Sequence, residues 1–235
     1  ASKVAIFSGA DYSWNVTNFD YMSSWKRAIV ELTPDVAASF ERFADNTSYF
    51  NDGVVFDESR YLIDKVEAYN KAFETGENLA AMVADMKAEF QTLEADVVNI
   101  KGMSNQNMLE EITPHLTAYE LVVQAGSYSV KALEAAQAGN IKDCLDALAV
   151  SKAKLAEAQT ITITSLETTG EKENVVNVCE KRIKPLLATA NTAAERILMD
   201  SIFVEKAPEA TGTKELVDNA EVIVADGKYN LNGVS

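Results

Sequence analysis

The chain is poor in reacting groups. It has one histidine, His115, and two cysteines, Cys144 and Cys179, in 235 residues. A nucleophilic triad needs a histidine beside a nucleophile, and a tetrahedral metal site needs three or four ligands of the right kind. This inventory supplies neither, and no glycine-rich phosphate loop occurs, so the catalytic, metal and cofactor expectations are all "none". Basic residues are also in deficit: 21 Lys and Arg against 36 Asp and Glu give a net charge of -15. That excludes the basic footprint of a nucleic-acid binder and disfavours an anionic membrane surface. No apolar run reaches 18 residues, so insertion into a membrane is not expected. A basic segment followed by an apolar one is missing from the start, and the first residue is Ala1 rather than Met, which suggests a processed or excised piece. Four prolines and ten glycines are too few for a turn-rich β fold.

What is present is a series of amphipathic stretches with acidic outer faces, on an apolar fraction of 47%, typical of a globular protein. Residues 1–13 read as helical or extended. Asp20 predicts an N-cap for a helix over 21–32 with Trp25, Ile29 and Leu32 on one side. Thr33-Pro34-Asp35 stops that helix and starts another carrying Val36, Phe40 and Phe43, with Asp35 at its positive end. Residues 45–57 read as an apolar loop. Further helices are expected over 58–74, 77–99 and 105–138, with Pro114 in a first turn or at a kink, and Gly139-Asn140 as a C-cap. Another covers 141–166, taking in the strand-like run Thr160–Thr164, and another 173–203, with a break at Pro185. Pro208–Gly212 reads as a linker, and Asp226-Gly227 between two short β-prone runs as a hairpin turn.

The expected fold is all-α: an antiparallel helical bundle with shorter N-terminal helices and a short β-prone C-terminal tail. The division is 1–56 for short helices and an aromatic loop, 57–207 for the long-helix bundle, and 208–235 for a linker and the start of a further module. If the helices carrying Cys144 and Cys179 pack antiparallel, the thiols lie too far apart for a disulfide, and both are read as free and buried.

Carboxylates are the one reactive group in surplus. Asp11, Asp20, Asp57, Glu58, Glu110 and Glu111 read as caps and solvated faces, because a carboxylate catalyst needs a shifted pKa and a cleft. His115 reads as a capping or surface histidine in a first turn. Asn15-Val16-Thr17 and Asn46-Thr47-Ser48 fit the glycosylation pattern, which has meaning only in a host that glycosylates. The densest aromatic cluster is Tyr12, Trp14, Phe19, Tyr21 and Trp25. Tyr12, Trp14, Phe19 and Trp25, with Phe50 and Phe56 of the loop, are the candidates for docking or for lying near a sugar.

The opening Ala1-Ser2-Lys3-Val4-Ala5, with Ala10-Asp11-Tyr12, Trp14-Asn15, Ser24-Trp25 and Ala28-Ile29, resembles bacterial family 84 glycoside hydrolases, the O-GlcNAcase and hyaluronidase-like β-N-acetylglucosaminidases. The similar stretch there follows the active-site strands, closes the (β/α)8 barrel and runs into a helical domain. Leu109-Glu110-Glu111-Ile112-Thr113-Pro114 with Leu116, and Lys184-Pro185-Leu186, are similar to segments of that domain. In such enzymes two adjacent aspartates assist the substrate's own acetamido group and protonate the leaving oxygen. No Asp-Asp pair exists here, and the chain is too short for a barrel, so no catalytic residue is carried over. The resemblance implies a non-catalytic helical accessory region of a secreted or cell-surface bacterial β-N-acetylglucosaminidase. Its partners would be an upstream catalytic barrel and N-acetylglucosamine-containing glycans. The rival readings are a protein- or glycan-binding helical module, a structural segment of a bacterial surface protein and, last, an independent enzyme.

Overall fold

A computed structural model describes residues 3–47, 61–165, 182–206, 221–224 and 227–230. Eight helices are described: α1 Lys3–Trp14, α2 Tyr21–Leu32, α3 Ala37–Thr47, α4 Tyr61–Thr75, α5 Leu79–Lys101, α6 Gln106–Gln137, α7 Ile141–Ser165 and α8 Lys184–Lys206. Two strands, β1 Glu221–Val224 and β2 Gly227–Asn230, pair antiparallel with Val222 opposite Tyr229. Residues Ala1–Ser201 form one compact unit and Ile202–Ser235 another. The first unit is an antiparallel helical bundle. None of the described helices is long and apolar enough to cross a membrane.

The helix ends follow local chemistry. Asp20 accepts the Ser23 N–H at 2.8 Å and caps α2. At the far end the Thr33 hydroxyl donates to the Ile29 carbonyl at 2.8 Å. The α6–α7 turn is a Schellman arrangement: Asn140 N–H reaches the Ala135 carbonyl at 2.8 Å and Gly139 N–H that of Ala136 at 3.1 Å. Gly139 sits at φ +69°, where a side chain would be strained. Thr160–Thr164 is helical, inside α7. Straight continuation of the preceding helical period outweighs β-branched propensity there. Pro185 is the second residue of α8, directly after a π-helical stretch at Arg182 and Ile183.

Pro114 is not in a first turn. It lies inside α6, so the Glu110 carbonyl loses its intrahelical donor; Glu110 is exposed, and water can replace it. Asp35 departs from expectation. It accepts the Ser104 N–H at 2.7 Å, in the α5–α6 turn. Asn105 completes that junction: its Oδ1 accepts from Met108 N–H at 3.2 Å to cap α6, and its Nδ2 donates to the Leu32 carbonyl at the end of α2 at 2.8 Å. The two turns are thereby locked together.

The core runs along α5 and α6. Phe90, Leu93, Val97 and Ile100 of α5 meet Leu116, Tyr119, Val122 and Val130 of α6, all buried. The helices approach so closely that a Cβ on Gly126 would lie 1.9 Å from Phe90 Cε1. Lys87–Glu134 at 2.8 Å and Lys101–Glu120 at 2.5 Å flank this crossing. Polar groups fix α3 onto the same pair. Arg42 makes a two-pronged bond to the buried Asp96 at 2.5 and 2.6 Å, and Asn46 Nδ2 donates to Tyr119 Oη at 2.9 Å. Phe43 packs edge-on against Tyr119, ring centroids 5.4 Å apart. On the far side, the Arg196 guanidinium of α8 donates to the last carbonyls of α4, those of Phe73 and Glu74.

Two substitutions test this packing. Gly126→Ala is expected to destabilise the chain by about 1–3 kcal/mol through overpacking against Phe90, read as a lowered urea midpoint. Asp96→Ala is expected to cost about 3 kcal/mol, because it removes the buried carboxylate that takes a two-pronged bond from the Arg42 guanidinium. A neutral result in either case contradicts the assigned contact.

Candidate docking surface and charge cluster

The first helix is partly inverted in polarity. Its side facing α2 carries Ser8, whose hydroxyl pairs with that of Ser24 at 3.0 Å, and Asp11, which pairs with Arg27. Lys3 ties its start to α6: the backbone N–H donates to Glu111 at 3.0 Å and the ammonium to the Asn107 carbonyl at 2.5 Å. Val4 is buried as well and Phe7 half-buried, but other apolar side chains point outward. Ile6 is 61% exposed, Trp14 91% and, in the following turn, Val16 61%. Tyr12 is half exposed and packs edge-on against Phe19, ring centroids 5.2 Å apart. Nine large apolar side chains are exposed among the described residues, and four of them fall between residues 6 and 16. A helix that buries Val4 and Ser8 on one side and exposes Ile6 and Trp14 on another is suited to burial on both sides.

The structure divides the aromatic candidates. Tyr12, Trp14 and Phe19 lie together at the α1–α2 end. Trp25 is a correction to the docking set: it is 5% exposed and belongs to the core. Its spacing to Ile29 had already put it on the inward stripe of α2. Phe50 and Phe56 lie outside the described residues, as do Asp57, Glu58, Cys179, Gly170, the Pro208–Gly212 linker and most of the 45–57 loop. That loop begins later than expected, since α3 continues through Thr47 with Asp45, Asn46 and Thr47 buried. Asn46 is therefore no glycosylation acceptor in the folded chain: it is buried and bonded to Tyr119. His115 is not in a first turn but well inside α6, half-buried. Cys144 is a buried free thiol whose pKa is raised by burial and by nearby Glu195.

Carboxylates converge in one place that sequence reasoning missed, between α4 and α5. Lys65 Nζ meets both Asp85 oxygens at 3.0 Å and Glu89 Oε1 at 2.5 Å, and Tyr69 Oη donates to Asp85 Oδ2 at 2.6 Å. The signal was available as an i,i+4 acid pair, Asp85 and Glu89, on one helix face. Burial alone would raise the Asp85 pKa, but bonds from Tyr69 and Lys65 outweigh it and the net shift is downward. Burial likewise works to lower that of Lys65, yet its bonds to Glu89 and Asp85 leave it raised. Tyr69 is pushed up by burial and by Asp85. A general acid at neutral pH needs a raised carboxyl; Asp85 is shifted the other way, and the cluster works as a clamp. Among the described residues no group of three or more His, Cys, Asp or Glu could hold a metal. A groove of about 150 Å³ between α5 and α6, lined by Lys87, Phe90, Glu94 and Lys131 among others, is smaller than a usual ligand pocket.

A family model described as NAGidase, beta-N-acetylglucosaminidase, matches residues 1–45, the part that carries the inverted helix. The solved structure of CpGH84D aligns with a TM-score of 0.63 at 19% identity, over 82% of this chain and 32% of that one. CpGH84B aligns with a TM-score of 0.62 at 17% identity, over 80% of this chain and 31% of that one. The chain thus spans about a third of each of these two structures. At such identity the likeness is one of fold: a helical, non-barrel part of larger proteins bearing the family 84 designation.

The clamp makes a pH prediction. The Asp85 contribution is present above its ordinary 3.8 and is lost as pH falls through its lower folded value. The Lys65 contribution is present below its ordinary 10.5 and is lost as pH rises through its higher folded value. Asp85→Asn should therefore flatten the acid limb of the melting-temperature profile below about pH 4 and leave the neutral plateau lower. An unchanged acid limb contradicts the clamp.

Proposed function

We propose that this chain is the helical accessory region of a secreted bacterial β-N-acetylglucosaminidase. It buttresses a catalytic barrel lying upstream and spaces it from later modules. The observation that carries this reading is the coincidence of two features in one segment: the outward apolar side of α1 and the match to the β-N-acetylglucosaminidase family model. The fold likeness to proteins about three times as long supports it.

On this reading residues 1–56 are the docking part, 57–207 the rigid bundle and 208–235 the lead into a further module. Trp14 is the anchor. Trp buries a large area and brings an N–H that can find an acceptor across an interface. The bundle contributes stiffness: the α3 clamps, the locked turns and the α5–α6 crossing leave little freedom between the docking end and the rest. Turnover belongs to the barrel, and N-acetylglucosamine-containing glycans are its substrates. A glycan-binding module is the second reading, and the 91% exposure of Trp14 is what favours it.

Trp14→Ala separates the two. In this chain alone it should shift stability by no more than about 0.5 kcal/mol, as an exposed side chain does. In the parent protein carrying the upstream barrel it should cost about 2 kcal/mol or more, read as an earlier thermal transition and faster loss of N-acetylglucosaminidase activity on warming. Equal, small effects in both settings overturn the buttress. Trp14-dependent binding of an N-acetylglucosamine oligosaccharide to the chain alone favours the glycan-binding reading.

A further inference from the structure

The α6–α7 hairpin carries an open groove of about 380 Å³, lined by Tyr128, Lys131 and Glu134 of α6 and by Asp143, Asp146 and Val150 of α7, among others. Its size lies in the range of ligand sites. Its two walls are consecutive helices packed along each other and joined by the turn at Gly139, so its shape is set before anything enters it. It is also remote from the docking end: Tyr128 stands about 25 Å along α6 from Glu111, where α1 is tied. Tyr128 is half-buried, and the Lys131 ammonium lies 4.3 Å from the centroid of its ring. The acidic groups of the groove are already engaged. Glu134 takes Lys87 at 2.8 Å, Asp146 takes Lys142 at 2.7 Å, and Asp143 accepts from Asn140 Nδ2 at 2.5 Å.

This lining selects by chemistry. A metal ion or a basic segment has to displace donors that the chain itself supplies to all three carboxylates. An anion faces the net charge of -15. A neutral polyol meets neither obstacle. Each of its hydroxyls can donate to a carboxylate oxygen and accept from an ammonium, and the C–H face of a pyranose ring can lie flat on an aromatic one, apolar against apolar. Lys131 is exposed, and a cation–π contact at an exposed site is weak, so its ammonium can leave the Tyr128 ring and turn its N–H groups to a ligand. We propose that this groove is a binding site for an uncharged pyranose sugar, with Tyr128 as the platform and Lys131, Asp143 and Asp146 bonding the hydroxyls around it. The site does not require α1 to be covered by a barrel; only the choice of N-acetylglucosamine as one probe rests on that reading.

The test titrates the full chain with two neutral tetrasaccharides, one of N-acetylglucosamine and one of glucose, and follows the amides by NMR. The expected result is that at millimolar sugar at least one of them moves the Tyr128, Lys131, Asp143 and Asp146 resonances together. Tyr128→Leu should weaken that binding about tenfold or more, while Tyr128→Phe, which keeps the ring, and Trp14→Ala should leave it intact. Ala135→Gln, which puts a longer side chain into the groove and leaves Tyr128 in place, should weaken it as well, so the result does not hang on one variant. Silence of these amides toward both sugars overturns the proposal. So does full affinity in both Tyr128→Leu and Ala135→Gln. Shifts confined to residues 6–16 and abolished by Trp14→Ala also overturn it, because they place the sugar on α1.

Discussion

The near-contact of α5 and α6 at Gly126 is the constraint from which the bundle is built. A side chain larger than hydrogen there would collide with the Phe90 ring, so Phe90 seated on Gly126 fixes how these two helices lie against each other. Once they lie so, Lys87 meets Glu134, Lys101 meets Glu120, and the Asp96 and Tyr119 side chains stand where α3 can reach both. The α5–α6 turn then presents Ser104 and Asn105 to the end of α2, and α2 carries α1. A chain of short contacts therefore links the interior of the longest helices to the outward face of the first one.

That face is where structure and function meet. Nothing in the packing of α1 needs Ile6 or Trp14 to be apolar; its inward contacts are Val4, a serine pair and an ion pair. Exposed tryptophan in a chain this acidic raises solubility costs without benefit to the bundle, and its placement makes physical sense when another body covers it. The clamp at Lys65, Asp85, Glu89 and Tyr69 has the opposite character. It gathers the groups an enzyme might use and ties each to another, which serves rigidity.

Much of the bundle was legible in the sequence because it rests on local rules. Asp20 as a cap, Gly139-Asn140 as a stop and the helical continuation through Thr160–Thr164 depend on neighbours a few residues away. The features that escaped depend on distant partners. Asp35 serves a turn 69 residues on, and Asn46 is captured by Tyr119. The aromatic cluster shows the same division: composition grouped Trp14 with Trp25, but only tertiary packing separates an exposed side chain from a buried one. The inverted polarity of α1 was hidden because its serine and aspartate partners lie on α2.

The central claim is that the outward side of α1 is covered by a neighbouring catalytic body. Acrylamide quenching of Trp14 fluorescence tests it most directly, measured in a Trp25→Phe background for this chain alone and for the parent protein, with any barrel tryptophans accounted for by a matched Trp14→Phe control. The account predicts that the Trp14 component is freely quenched in the isolated chain and shielded in the parent. Equal quenching in both would contradict it.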